Sequence, residues 1–204
     1  MRNWCSLILL FSFSLFGQNS EDVLLIGNHT TICLAGSRIN RLDELPSSLS
    51  RYKAVFVFSN STSALCPSDV DRLIAFVEEG GGLYLGAENW PLQAESNQLT
   101  KRIYLKESFG EYQADNAETY GSKGNMKLDS LDNVPAGSTT VAFPMDYRLR
   151  VEAWVDDQPL ILSGVLEKGK LIIDGGYSRF YCDQRSETTD QLFVSFISFL
   201  LNED

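Results

Sequence analysis

Two acidic residues, each placed at the end of a predicted buried strand, are the side chains best suited to chemistry in this sequence. Glu88 follows the apolar segment 83–85, and Asp174 follows the apolar segment 171–173. Parallel strands end at one edge of a sheet, where ligands of open α/β sheets usually bind, so both carboxyl groups are expected there. Such a pair would allow hydrolysis by general acid–base catalysis, as in glycosidases.

Polar and aromatic residues near these carboxyl groups indicate a second kind of site. Amide and carboxylate groups hydrogen-bond to hydroxyl groups, and Trp or Tyr rings pack on apolar ring surfaces, so a small, polar, sugar-like ligand is expected. The predicted ligand-binding residues are Asn60, Ser61, Glu88, Asn89, Trp90, Asp174, Tyr177 and Arg179. In the alternative interpretation, Arg179 pairs with Glu88 or Asp174 and only fixes the loops.

Other residue types that could support chemistry give weaker patterns. His29 and Cys33 would approach each other at their spacing only on a helix, and no pattern predicts a helix there. Four aspartates lack the regular spacing of a calcium loop and are expected in solvated turns. They are Asp129, Asp132, Asp156 and Asp157. The sequence therefore predicts no metal site, no cofactor and no catalytic residue of the acyl-transfer kind.

An alternation of strands and helices would position the candidate residues. After an N-cap at Ser68, apolar residues at i, i+3, i+4 and i+7 from Val70 predict an amphipathic helix that ends at glycines 80–82. Further helices are expected at 39–45, within 91–106 and at 188–201. Strands are expected at 22–27, 52–58, 83–85, 139–143 and 149–154, and a hairpin at 159–174.

These elements predict an α/β fold. We expect a mostly parallel open sheet flanked by helices, in a flavodoxin-like or Rossmann-like three-layer arrangement, with an antiparallel hairpin at the C-terminal edge. The chain has 204 residues and a net charge of −10, which fits one domain and argues against binding to nucleic acid. Residues 107–133 are rich in Gly, Ser, Asn, Asp and Tyr and are interpreted as a loop insertion.

The N-terminus has the pattern of a signal peptide. Arg2 precedes an apolar segment at 7–16, which is shorter than the ~20 residues that a helix needs to span a bilayer. Residues 1–18 are therefore predicted to be removed, leaving one domain at 19–204 without a transmembrane segment. Cys5 precedes the apolar segment, so the signal is not of the lipoprotein type. A periplasmic or secreted location is expected.

Three cysteines follow the predicted signal peptide. Cys66 and Cys182 each come after a predicted strand at the same edge of the sheet, so they are the candidate disulfide pair. In the alternative, both of them and Cys33 are buried thiols that pack as small apolar side chains.

Three segments resemble the class I glutamine amidotransferase-like superfamily. They are YKAVFVF at 52–58, FVEEGGGLYLG at 76–86 and PLILSGVLEKGKLIIDGGYSR at 159–179. The last two are similar to its non-catalytic branch, which includes the GIFT-type and trehalose-utilisation-like domains. In catalytic members a cysteine nucleophile follows the strand that matches 83–85. Ala87 or Glu88 holds that position here, and the expected partner histidine is missing, since the single histidine is His29.

The resemblance implies an exported, non-catalytic domain that acts as a ligand-binding module, with carbohydrate as one candidate ligand, or as an assembly module. One alternative function is a hydrolase that uses Glu88 and Asp174. Another is a structural subunit of a cell-envelope complex that docks a protein partner through residues 107–133.

Overall fold

A computed structural model describes residues 22–34, 39–110, 119–121, 126, 136, 139–155 and 157–202. The predicted signal peptide lies outside the described residues, as does most of the predicted insertion at 107–133. Within the described ranges, no helix combines the length and apolar character needed to cross a bilayer.

The described strands form a single mixed sheet, which confirms the predicted α/β fold class. The strands are β1 (Val23–Gly27), β2 (Ile39–Arg41), β3 (Ala54–Phe58), β4 (Gly82–Gly86), β5 (Thr119–Gly121), β6 (Arg150–Val155), β7 (Gln158–Leu166) and β8 (Gly169–Asp174). Their order is β2-β1-β3-β4-β8-β7-β6-β5. The neighbouring strands β2, β1, β3, β4 and β8 are parallel. Beyond β8, the strands β7, β6 and β5 follow, and each is antiparallel to the strand before it in the sheet.

Helices cover both faces of the sheet. They are α1 (Pro67–Glu78), α2 (Ala94–Tyr104) and α3 (Glu187–Leu201), together with a 3-10 turn at Tyr177–Phe180. Strand residues alternate between the faces, as a pleated strand requires. Phe56 and Tyr84 pack with Phe196 of α3, whereas Val57 and Leu85 pack with Leu73 of α1. The central strands are therefore buried on both sides, which explains their continuous apolar runs.

Three predicted element positions need correction. Helix α1 begins at Pro67 with Cys66 as its N-cap, so Ser68 lies inside the first turn. Residues 39–41 form the edge strand β2 beside β1, and the helix predicted at 39–45 is wrong. One short apolar turn is too weak a nucleus to compete with pairing along an open sheet edge. Residues 139–143 were expected to form a strand, but Ala142 makes only an isolated bridge with Phe109.

The predicted disulfide between Cys66 and Cys182 is also wrong. Cys182 is bonded to Cys33, with 4.7 Å between their Cα atoms, and Cys66 is a free, exposed thiol. The backbone N–H of Cys182 donates to the Thr31 carbonyl at 3.0 Å, so the two chain segments lie side by side. Cys66 begins α1, which packs on the other face of the sheet from the segment that carries Cys182.

The disulfide makes a direct contribution to stability that can be measured. The double variant Cys33→Ser/Cys182→Ser is expected to lose about 2–4 kcal/mol of unfolding free energy in urea titrations, because the link constrains the unfolded chain. Cys66→Ser is the matched control and is expected to change stability by less than about 0.5 kcal/mol. Equal stability of the double variant and the oxidised wild type would contradict this assignment.

Candidate functional site

The turn after β4 is tied by backbone hydrogen bonds to the loop after β8. Ala87 N donates to the Asp174 carbonyl at 2.8 Å, and Tyr177 N donates to the Ala87 carbonyl at 3.2 Å. The Ala87 side chain is fully buried. The two loops that sequence analysis placed at one edge of the sheet are therefore in direct contact, because β4 and β8 are parallel neighbours.

Asp174 is the most heavily hydrogen-bonded member of this cluster. Its carboxylate accepts the Tyr84 hydroxyl at 2.8 Å and the Gly176 N–H at 3.0 Å, and Arg179 Nη2 lies 3.1 Å from its Oδ1. All of these side chains are buried. Burial, followed by the nearby charge of Asp174, raises the pKa of Tyr84 well above its usual value, so Tyr84 stays a neutral donor.

Arg179 is buried with its charge opposite Asp174, but its guanidinium group makes no hydrogen bond with the described residues. Nη2 is close enough to Asp174 for an ion pair, yet Nε, Nη1 and Nη2 all lack a hydrogen-bonding partner. Gly176 leaves the space for this guanidinium group, since a Cβ there would lie 2.3 Å from Nη2 and 2.7 Å from Thr139 Cγ2. The alternative in which Arg179 pairs with Asp174 is thus realised in the structure.

Glu88 lies beside this pair and has one free oxygen. The Ser178 N–H donates to Glu88 Oε2 at 2.8 Å, whereas Oε1 is buried without a partner. Desolvation raises the pKa of Glu88 to about 8, against the smaller opposing effects of the Ser178 hydrogen bond and the Arg179 charge. Glu88 is therefore mostly protonated at neutral pH and can donate a hydrogen bond as well as accept one.

Tyr177 connects the cluster to the ends of β1 and β3. Its hydroxyl donates to the Ser59 carbonyl at 2.8 Å and accepts from Asn28 Nδ2 at 3.1 Å. Its ring meets the half-buried Tyr181 edge to face, with 6.0 Å between the ring centroids. Burial raises the pKa of Tyr177, which keeps its hydroxyl neutral. Tyr177 acts here as a structural brace.

The remaining predicted ligand-binding residues do not make bonds to the Glu88 and Asp174 side chains. Asn60 instead bonds to Glu95, through its N–H at 2.7 Å and its Nδ2 at 3.0 Å. Ser61 and Trp90 are exposed, and Asn89 is half-buried. The predicted site is therefore split into a buried cluster, formed by Glu88, Asp174, Tyr177 and Arg179, and a separate group around Asn60.

Sequence analysis missed Glu95, which organises that second group. Glu95 is buried in the first turn of α2 and also accepts the Ala64 N–H at 3.1 Å. It borders a cavity of about 410 Å³ near the ends of β1 and β3, together with Asp43 and Asp69. An acidic residue in the first turn of a predicted helix is a recognisable signal, but its pairing with Asn60 depends on the fold.

His29 and Cys33 do not form a catalytic pair. His29 Nε2 lies 3.0 Å from the Leu42 carbonyl and 3.5 Å from Asp43, and the sulfur of Cys33 is in the disulfide. Among the residues that the structure describes, no group of three or more His, Cys, Asp or Glu side chains is arranged to hold a metal ion. Of the four aspartates considered for calcium, only Asp157 is described; Asp129, Asp132 and Asp156 lie outside the described residues.

Known structures with the same fold were found, although no protein-family model and no curated protein sequence matches this chain. Cytoplasmic protein STM3548 from Salmonella typhimurium has 14% identity and a TM-score of 0.65, over 88% of this chain and 98% of that chain. Cytoplasmic protein STM1381 from Salmonella typhimurium LT2 has 12% identity and a TM-score of 0.64, over 87% and 98%. The mmIFT52 N-terminal domain has 13% identity and a TM-score of 0.60, over 89% and 98%. Because these sequence identities are low, the similarity shows a shared fold and nothing more.

The predicted periplasmic or secreted location is contradicted by these comparisons. The two Salmonella proteins, which match this chain over 98% of their own lengths, are both named as cytoplasmic proteins. The disulfide between Cys33 and Cys182 agrees with export but does not outweigh that finding. The location drawn from the N-terminal pattern is therefore withdrawn.

The buried carboxyl group of Glu88 makes stability depend on pH in a defined direction. Its pKa is about 8 in the folded chain against an ordinary value of 4.5, so the folded state keeps a proton that the unfolded state has lost between these values. Stability is therefore expected to fall as pH rises from about 5 to 8, by up to roughly 1.4 kcal/mol per pH unit from this group. Glu88→Gln should flatten that part of the curve in urea titrations.

The surface variant Glu78→Gln controls for the change in net charge alone. The difference in unfolding free energy between wild type and Glu88→Gln is expected to change across this pH range, and the difference between wild type and Glu78→Gln is not. A constant difference for Glu88→Gln would show that the Glu88 side chain titrates normally in the folded protein.

Proposed function

We propose that this chain is a non-catalytic α/β domain of the glutamine amidotransferase-like kind that acts as a binding or assembly module. One observation carries the proposal. The resemblance places the nucleophile of catalytic members at Ala87 or Glu88, in the turn after β4, and neither residue is a cysteine. Ala87 is buried, and its N–H and carbonyl group are both used in backbone hydrogen bonds. A methyl side chain in a locked turn cannot attack a substrate.

The positions of the histidine and of the free thiol among the described residues support the same proposal. Acyl transfer needs a nucleophile and a base within hydrogen-bonding reach of each other. His29 is held at the end of β1 by Leu42 and Asp43, and Cys66, the free thiol of the described chain, is at the start of α1. Neither of them follows β4. The residues that catalytic members would use are thus replaced by a buried, hydrogen-bonded junction between two loops.

A hydrolase that uses Glu88 and Asp174 is the second candidate, and the raised pKa of Glu88 favours it. A carboxyl group that keeps its proton at neutral pH is suited to act as a general acid. Asp174 argues against this function, because both of its oxygen atoms already accept contacts from Tyr84, Gly176 and Arg179 inside the protein. A base or nucleophile needs a free lone pair that faces the substrate.

The assembly function has support on the surface of the chain. The large apolar side chains that are exposed in the described part of the chain include Trp90 at 63%, Leu105 at 86% and Tyr147 at 90%. Exposed aromatic side chains are common anchors in protein–protein contacts. The predicted docking segment at 107–133 lies mostly outside the described residues, so its part in assembly stays a prediction.

A turnover assay separates the non-catalytic proposal from the hydrolase. Wild type, Glu88→Gln and Asp174→Asn are incubated with chromogenic glycosides, esters and amides, and product release is followed. We expect no release above that of the buffer, because both oxygens of Asp174 are engaged within the protein and leave Glu88 without a second carboxylate free to act. Turnover by wild type that is lost in Glu88→Gln would reject the non-catalytic proposal, and turnover unchanged in both variants would indicate a contaminating enzyme.

A further inference from the structure

Two buried side chains in the loops after β4 and β8 carry polar atoms that make no hydrogen bond with any described residue. Arg179 is 1% exposed and its three guanidinium nitrogens have no hydrogen-bonding partner, and Glu88 is 3% exposed with Oε1 unpartnered. Buried polar groups in folded proteins nearly always have partners, because an unpartnered group has lost its hydration without replacement. These atoms therefore indicate a ligand or an ordered water at this position.

The charges around these atoms limit the kind of ligand. Arg179 is already paired with Asp174 across 3.1 Å, and desolvation favours the neutral form of Glu88. A ligand with a net charge would bring an unbalanced charge into a buried position, which is unfavourable. The tyrosines near Glu88 add no charge, because burial raises the pKa values of Tyr84, Tyr177 and Tyr181 and keeps their hydroxyl groups neutral. A neutral ligand fits best.

The hydrogen-bonding capacity of the two side chains defines the ligand further. Arg179 can only donate, so the ligand must offer acceptor oxygens to it. Glu88 Oε1 can accept a hydrogen bond, or donate one when it carries the proton. A hydroxyl group both donates and accepts, so neighbouring hydroxyl groups on one molecule can satisfy both side chains.

Half-buried and exposed residues lie next to Glu88, in space or along the chain. Oε2 of Glu88 is bonded to the N–H of Ser178, which is half-buried, and the half-buried Tyr181 is near enough for the Glu88 charge to affect its pKa. Trp90 follows Glu88 by two residues and is mostly exposed. Aromatic rings beside hydrogen-bonding groups are typical of sites for molecules that have both apolar and hydroxylated faces.

We propose that Glu88 and Arg179 bind a small neutral sugar or polyol, whose adjacent hydroxyl groups hydrogen-bond with Glu88 Oε1 and accept from the Arg179 guanidinium group. The inference rests on the proposed binding function and names the ligand class for that function. It assigns no chemical step to either residue.

Thermal unfolding with named probes tests this site. Wild type is heated with glucose, galactose, mannose, trehalose or inositol, and with acetate or methylammonium as charged comparisons, and dissociation constants are then measured for any probe that raises the melting temperature. We expect at least one neutral probe to stabilise the protein and both charged probes to have no effect. A flat response to all neutral probes would overturn the ligand class and indicate that the unpartnered atoms hold only water.

Matched variants locate the site. Glu88→Met removes both oxygens of the carboxyl group at similar side-chain volume, and Arg179→Lys keeps the positive charge beside Asp174 but loses the guanidinium fork. Each is expected to weaken binding at least tenfold, equivalent to about 1.4 kcal/mol. Glu152→Gln, a second buried glutamate on β6, is the control and should bind as wild type does. Tyr181→Ala, at a half-buried position near Glu88, replaces any buried variant that fails to fold and is expected to weaken binding as well.

A failure of the site assignment can be distinguished from a failure of the non-catalytic proposal. If a probe sugar binds wild type and all variants equally, the binding function stands and the assignment to Glu88 and Arg179 is wrong. If turnover of a glycoside appears and is lost in Glu88→Gln, the non-catalytic proposal fails while the ligand class and the site are retained.

Discussion

The buried carboxylate of Asp174 is the interaction on which the functional edge of this sheet depends. Asp174 is the last residue of β8 and is buried. Its carboxylate accepts hydrogen bonds from the Tyr84 hydroxyl and the Gly176 N–H and forms an ion pair with the Arg179 guanidinium group. A buried carboxylate is tolerated only when donors and a positive charge surround it. Arg179 is therefore held in the interior by Asp174, and its other N–H groups are presented without partners. The loop after β8 cannot be rearranged without exposing this charge to apolar surroundings.

The local signals in the sequence account for the elements that carry this cluster. Apolar residues such as Val70 and Leu73 at helical spacing define α1, and glycines 80–82 stop it before the apolar strand β4. Both signals act within a few residues and do not need the rest of the chain. The positions of Glu88 and Asp174 at strand ends follow directly. The pairing of Arg179 with Asp174 could be predicted as an alternative to ligand binding, because Asp174 is only five residues away in the sequence.

Contacts between distant segments were not predictable in the same way. The strand at 39–41 exists because β1 offers an open edge, and the Cys33–Cys182 bond exists because the segment after β8 returns to the end of β1. Asn60 and Glu95 meet because α2 packs against the loop after β3. Each of these contacts depends on strand order, which local residue propensities do not determine. The burial of Glu88, from which its raised pKa follows, also arises only when both loops are in place.

The disulfide between Cys33 and Cys182 has a consequence for how force travels through the molecule. Cys33 and Cys182 are separated by 149 residues, so the bridge encloses every described strand except β1 in one closed loop. Tension applied at the two ends of the chain passes through β1, the sulfur–sulfur bond and α3, and bypasses the strands between them. Under load the oxidised molecule behaves as a short tether with a mechanically shielded core. Its contour can lengthen only by the segments outside the loop, unless the bridge is reduced.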